Sequence, residues 1–159
     1  MKRVIALLME NQPGALSRVV GLFSQRGYNI ESLIVAPTED PSLSRLTMTT
    51  EGGTQVVEQI TKQLNKLIDV VKVLDLSLED YVGRELMLIK IEFSKKTEAE
   101  VTNLGGQVLF KDENLLNVEF VGTPEELDEI VISLAKLNPL EVVRTGLSSI
   151  SSTAKTLTI

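Results

Sequence analysis

Apolar residues recur along this chain with two periods. Val4 to Met9 is almost unbroken apolar sequence, the pattern of a strand covered on both faces. Pro13 then fixes φ where a helix begins. Leu16, Val19, Val20 and Phe23 recur at helical spacing until Gly27, a natural C-terminal stop. Ile30 to Ala36 reads as a second strand, Pro37-Thr38-Glu39-Asp40-Pro41 as its turn, and Leu43 to Thr50 as the returning strand with Leu46 and Met48 on one face. After Gly52-Gly53, the residues Val57, Ile60, Leu64 and Leu67 predict a second amphipathic helix, and Val70 to Leu76 alternates as a fourth strand. The order is βαββαβ.

The second half repeats that order in weaker form. Arg84 to Phe93 reads as a strand, Thr97 to Leu104 as a short helix, and Gly106 to Val121 as a hairpin turning at Lys111-Asp112-Glu113-Asn114. Thr123-Pro124-Glu125-Glu126 has the N-cap, the first-turn proline and the capping-box glutamate of a helix start, and Leu127, Ile130, Val131, Leu134 and Leu137 line one face. Asn138-Pro139 stops that helix before a last strand, Leu140 to Arg144. The expectation is an α+β chain of two ferredoxin-like βαββαβ domains. They span residues 1–76 and 84–145, with a linker at 77–83 and a Ser/Thr-rich tail at 146–159 that has no usable periodicity.

Composition narrows the function. A net charge of −6 and 4% aromatic residues argue against a nucleic-acid platform, which needs a basic face and stacking rings. No apolar run approaches the roughly 20 residues of a spanning helix, and the amino terminus makes a poor signal peptide, so no membrane partner and a cytoplasmic location are expected. With no cysteine and no histidine, the thiol nucleophile, the thiolate metal site and the commonest general base are all missing. The carboxylates are scattered, and no nucleotide-binding glycine loop or calcium-loop spacing occurs. No catalytic or metal-ligating residue is assigned.

What remains is a binding site. Gly14 keeps the start of the first helix bare, so backbone N–H groups and the positive end of the helix dipole face whatever lies beyond the first strand, which suits a small carboxylate. Taken singly, Gly14 reads as a helix-start residue and Asn11 and Asn29 as turn residues. Arg18 and Arg26 read as ordinary surface arginines.

Three segments carry a specific resemblance: Asn11-Gln12-Pro13-Gly14-Ala15-Leu16-Ser17-Arg18, Phe23 through Gly27-Tyr28-Asn29-Ile30 to Leu33, and Val35-Ala36-Pro37-Thr38. Through about Leu76 the chain closely resembles the small regulatory subunits of acetohydroxyacid synthase (acetolactate synthase). The resemblance implies an amino-terminal ACT domain that binds valine, in a subunit without catalysis of its own. Such a subunit activates a separate catalytic large subunit and confers feedback inhibition on it. Thiamine diphosphate, Mg and FAD then belong to that large subunit, and this chain holds no cofactor. The short helix between Ser94 and Gly105, about two turns at 3.6 residues each, departs from the longer helix usual in the family.

Fold analogy places the two halves of the effector site apart. In a ferredoxin-like sheet of order 4-1-3-2 the Asn11–Gly14 loop sits at one end and Asn29 at the other, so one chain cannot bring them to one ligand. Strand two is an edge, and a homodimer pairing two such edges antiparallel would bring them together. Backbone N–H groups near Gly14, Ala15 and Leu16 would then hold the carboxylate, the amides of Asn11 and the partner's Asn29 the polar ends, and Ile30 and Val35 would bound the pocket. The alternative is a free-standing ACT sensor of another enzyme. An acylphosphatase of this fold would need an arginine in the first loop, a metal chaperone cysteines there, and an RNA-binding domain exposed aromatics on its central strands. The sequence has none of these.

Overall fold

In the computed structural model, which describes residues 2–158, the first strand is covered on both faces for two different reasons. Strand β1 (Lys2–Glu10) is central in a sheet with β2 (Ile30–Pro37), β3 (Leu43–Glu51) and β4 (Val70–Asp75), in the order β2-β3-β1-β4. Helices α1 (Ala15–Gln25) and α2 (Thr54–Leu64) cover one face. There Ile5, Leu7 and Met9 of β1 and Leu46 and Met48 of β3 pack with Val19, Leu22 and Phe23 of α1 and with Val57, Ile60 and Leu64 of α2. The other face of β1 presents Val4 and Ala6, and these are buried with Leu76, Leu147 and Leu157. The cover on that side is the C-terminal segment. Gly27, at φ 68°, ends α1 in the left-handed region, where a side chain would be strained.

The chain divides into two units, one formed by the residues through Gly83 together with those from Leu147 onward, the other by Arg84–Gly146. Each half of the sequence yields the expected βαββαβ order, and the fold is α+β. Met1 and Ile159, the outer ends of the expected first domain and tail, lie outside the described residues.

Two expectations change here. Residues 77–83 are not a free linker: Leu76–Leu78 form a 3-10 turn capped by Asp75, and the Ser77 hydroxyl accepts the Val4 N–H at 2.7 Å. Tyr81 to Gly83 already belong to strand β5 (Tyr81–Glu92). The Ser/Thr-rich segment is not a free tail either. It forms strand β9 (Ser148–Ser151), which pairs with β5, and its leucines fill the bare sheet face. Its apolar residues, Leu147, Ile150, Ala154, Leu157 and Ile159, do not alternate as a strand would, and among the described ones it is Leu147 and Leu157 that are buried.

The second unit runs β5, α3 (Lys95–Asn103), β6 (Gln107–Lys111), β7 (Leu115–Gly122), α4 (Pro124–Leu134) and β8 (Glu141–Arg144), with sheet order β6-β7-β5-β8. The short helix is real at 9 residues, and the Ser94 hydroxyl caps it by accepting the Thr97 N–H at 3.0 Å. At α4 the capping box is complete. The Thr123 hydroxyl accepts the Glu126 N–H, and the Glu126 carboxylate accepts the Thr123 N–H. Met87, Ile89 and Ile91 of β5 pack with Leu116, Val118 and Phe120 of β7 under Val101, Leu127 and Leu134. Arg144 of β8 donates through Nε and Nη2 to both oxygens of the buried Glu85, each at 2.9 Å, and these bonds raise the Arg144 pKa.

Candidate functional site

The loop between β1 and α1 is built around Gly14. At φ 89° and ψ −17° it is the N-cap of α1, a conformation that glycine adopts without strain. No side chain caps this helix, and its first turn carries no acidic residue. The Ala15 N–H reaches the Gln12 carbonyl at 3.2 Å, whereas the N–H groups of Gly14, Leu16 and Ser17 have no acceptor among the described residues. Free donors at a helix N-terminus favour negative charge in front of them. The side chain of Ala15 is buried and that of Leu16 packs against the core, so both can offer a ligand only backbone.

Asn11 closes the loop from the other side. Its N–H donates to the Ser42 carbonyl at 2.7 Å and its Nδ2 to the Pro41 carbonyl at 2.9 Å, which ties it to the β2–β3 turn. Its Oδ1 has no partner among the described residues, and the residue is exposed.

Beneath the loop lies a polar cluster that sequence reasoning undervalued. Arg18, one turn into α1, donates through Nε and Nη2 to the two oxygens of Asp69, which is buried just ahead of β4. Gln12 Nε2 donates to Asp69 Oδ1 at 2.7 Å and to Glu10 Oε2 at 2.6 Å. The hydrogen bonds from Arg18 hold the Asp69 carboxyl below the usual carboxylate range, and Asp69 raises the Arg18 pKa in return. A Cβ at position 14 would stand 2.9 Å from an Arg18 guanidinium nitrogen, so the same arginine roofs the glycine. The signal in the sequence was the four-residue interval from Gly14 to Arg18, which puts the guanidinium one helical turn above the loop.

Asn29 and Ile30 lie elsewhere. Ile30 is in register with Thr50, which is in register with Arg3, while Asn11 follows Glu10 at the opposite end of β1. The two groups are separated by eight residues of β1, on the order of 25 Å at strand rise. Asn29 is exposed and its carbonyl accepts the Thr50 hydroxyl at 2.6 Å. Val35, 39% exposed, lies on β2, which pairs only with β3 and leaves its other edge open among the described residues. Thus Asn11, Gly14, Ala15 and Leu16 are together, and Asn29 and Ile30 are not with them.

Among the described residues no three Asp or Glu carboxylates converge as a metal site, and no helix is long and apolar enough to cross a membrane.

Two family models match the chain. Residues 5–72 match the ACT domain of the acetohydroxyacid synthase small-subunit type, and residues 84–153 match the small subunit of acetolactate synthase. The acetolactate synthase isozyme 3 small subunit of Escherichia coli is 47% identical over 156 residues, covering 95% of this chain and 96% of that protein. The acetolactate synthase small subunit of Haemophilus influenzae is 43% identical over 162 residues, covering 99% of each. Among solved structures, the acetolactate synthase small subunit from Thermotoga maritima superposes with a TM-score of 0.88 at 30% identity, covering 98% of this chain and 99% of that one.

Proposed function

The chain belongs to the family of acetolactate synthase small subunits, and from that premise we propose that it activates a separate thiamine-diphosphate-dependent catalytic subunit and makes it sensitive to valine bound between two ACT domains. The observation that carries the effector site is Gly14: a left-handed, uncapped helix start with free N–H groups, three residues after Asn11, whose Oδ1 has no partner among the described residues. Valine brings a carboxylate for those donors, an ammonium for the asparagine oxygen and a branched body for an apolar wall.

The site is completed by a second copy. The open edge of β2 offers backbone groups for antiparallel pairing, and a two-fold axis there carries the partner's Asn29, Ile30 and Val35 towards the Asn11 loop. The carboxylate rests on Leu16 and Ser17 backbone, the partner's Asn29 amide holds the other polar end, and Ile30 and Val35 bound the side chain. Homodimerisation is therefore part of the binding reaction.

Feedback follows from linkage. Valine lowers turnover if it binds the less active arrangement of the holoenzyme more tightly than the active one. The chain itself supplies no reacting group in this scheme, and thiamine diphosphate, Mg and FAD reside with the catalytic subunit.

The test is turnover of the catalytic subunit alone, with this chain, and with this chain across a valine titration. Activation followed by saturable inhibition is expected. Activation without any valine response would remove the effector, and no activation would favour a sensor that serves another enzyme.

A further inference from the structure

The sheet face that α1 and α2 leave bare carries a cavity of about 590 Å³, floored by Leu8, Leu43 and Leu74 and walled by Ile150 and Leu157 of the C-terminal segment. That volume falls among small-ligand sites, which span ~300–1,000 Å³. Arg45 stands on this face in register with Leu8. Its Nη2 donates to the Ser149 carbonyl at 2.7 Å, and it has no carboxylate partner among the described residues. Burial lowers its pKa with no anion to oppose the shift, yet a guanidinium stays charged. A half-buried cation with a neutral partner is an unfinished arrangement, because burying a charge is costly until an opposite charge meets it.

The rest of the lining limits what that charge can be. Lys155, the other cation, is already paired with Glu79 at 3.2 Å. Glu39 and Asp40 stand at the same cavity, so its four charged residues sum to zero. Asp40 Oδ1 accepts the Ser42 N–H at 2.9 Å and the Ser42 hydroxyl at 2.7 Å, which leaves Oδ2 without a partner among the described residues. A phosphate dianion would gain Arg45 and be repelled by two carboxylates. A single carboxylate gains Arg45 alone, an ammonium on the same molecule gains Asp40 or Glu39, and the five aliphatic side chains take an apolar body.

The geometry points to a second small-molecule site here, for a monocarboxylate with an aliphatic body whose carboxylate pairs with Arg45. It shares no residue with the pocket proposed for valine and does not depend on it. Branched-chain amino acids and their 2-oxo acids share this chemistry, and they differ in whether the rim carboxylates are used.

The experiment is calorimetric titration of the full chain with L-leucine, with 4-methyl-2-oxopentanoate and with inorganic phosphate, on wild type, Arg45→Met, Ile150→Trp and Gly14→Asp. Ile150 is 62% exposed, so tryptophan there fills the cavity without disturbing packed neighbours and guards against an unstable Arg45 variant. Saturable binding of at least one of the two carboxylates is expected. Both cavity variants should weaken it at least about tenfold, the scale of one charge-assisted hydrogen bond, and Gly14→Asp should leave it unchanged. Tighter binding of leucine assigns the ammonium to Asp40 or Glu39, whereas equal or tighter binding of the 2-oxo acid assigns recognition to Arg45 alone. The site is refuted if neither carboxylate binds, if phosphate binds as well as they do, or if both cavity variants bind normally. Loss in Gly14→Asp with retention in Arg45→Met also refutes it, and would place the ligand in the valine pocket.

Discussion

Arg18 and Asp69 join the first helix to the residue just ahead of β4 in the ACT domain through a two-pronged ion pair, and the same guanidinium lies over Gly14. Asp69 also holds β1 through its backbone, its carbonyl accepting the Glu10 N–H at 2.8 Å. The loop that carries Asn11 and the free N–H groups is thereby fixed at both ends, so the proposed effector would meet a loop already formed.

The pair sets a pH dependence of stability. The Arg18 hydrogen bonds make the Asp69 pKa lower in the folded than in the unfolded chain. Its stabilising effect is therefore complete above the unfolded carboxylate value of about 3.9 and is lost as pH falls through the lower folded value. Arg18→Met should be less stable than wild type at neutral pH, because a buried carboxylate loses its partner. The two denaturation midpoints should converge as the pH is taken below about 4. A gap that persists unchanged into acid would assign the loss to packing of the arginine stem.

Gly14→Asp is expected to abolish valine inhibition and to leave activation largely intact. Aspartate at φ 89° is strained, its carboxylate competes with the ligand for the same N–H groups, and it comes within reach of Arg18, drawing that side chain from Asp69. Gly14→Ala separates the causes, since it keeps the strain and the steric block without the charge. Valine titrations of the reconstituted enzyme should shift to at least about tenfold higher concentration for aspartate and by less for alanine. An unchanged curve for both would move valine away from this loop.

Leu147→Ala should unfold the first unit more easily, although the residue lies 64 positions after Gly83. It is 3% exposed against Val4, Ala6 and Leu76, and buried leucine truncations cost about 2–5 kcal/mol. Leu157→Ala, at 8% exposure, should cost less. Denaturant unfolding with amide exchange read separately over β1 and β7 checks this: faster exchange confined to β1 is expected, and loss confined to β7 would contradict it.

Thr123→Ala removes half of the capping box at α4 and should cost about 1 kcal/mol, with a range of about 0.5–2. Thr123→Ser, which retains the acceptor oxygen, should recover most of it. Equal losses in the two variants would assign the effect to the threonine methyl group.

The elements were legible where burial follows a simple period. Val4 to Met9 announced a doubly covered strand, and Thr123, Pro124 and Glu126 announced a helix start, because both signals are local. What was hidden is non-local. Arg18 looked like any surface arginine, since nothing near it in sequence reveals that Asp69 will be folded underneath. The segment after Gly146 alternates serine, threonine and isolated leucines, and its order comes from a sheet face made of residues near the other end of the chain. On α1 the predicted stripe included Val20, which is half-buried, and omitted Leu22, which shares the buried helix face with Ala15, Val19 and Phe23 at intervals of three, four and seven residues. For the proposed effector site, the separation of Asn29 from Asn11 follows from strand order alone, while the unpartnered Oδ1 of Asn11 depends on how its Nδ2 is tied to the Pro41 carbonyl, which no local pattern reveals.

A discontinuous first unit reverses the order of completion on the ribosome. The second unit is contiguous in sequence from Arg84 to Gly146 and can close while the ACT sheet, translated earlier, still waits for Leu147 and Leu157. Until they emerge, Val4, Ala6 and Leu76 form an open apolar face next to a free β2 edge, the combination through which nascent sheets associate wrongly. Closure of that face therefore follows the emergence of the segment that carries Leu147 and Leu157, after the whole of the second unit has been translated.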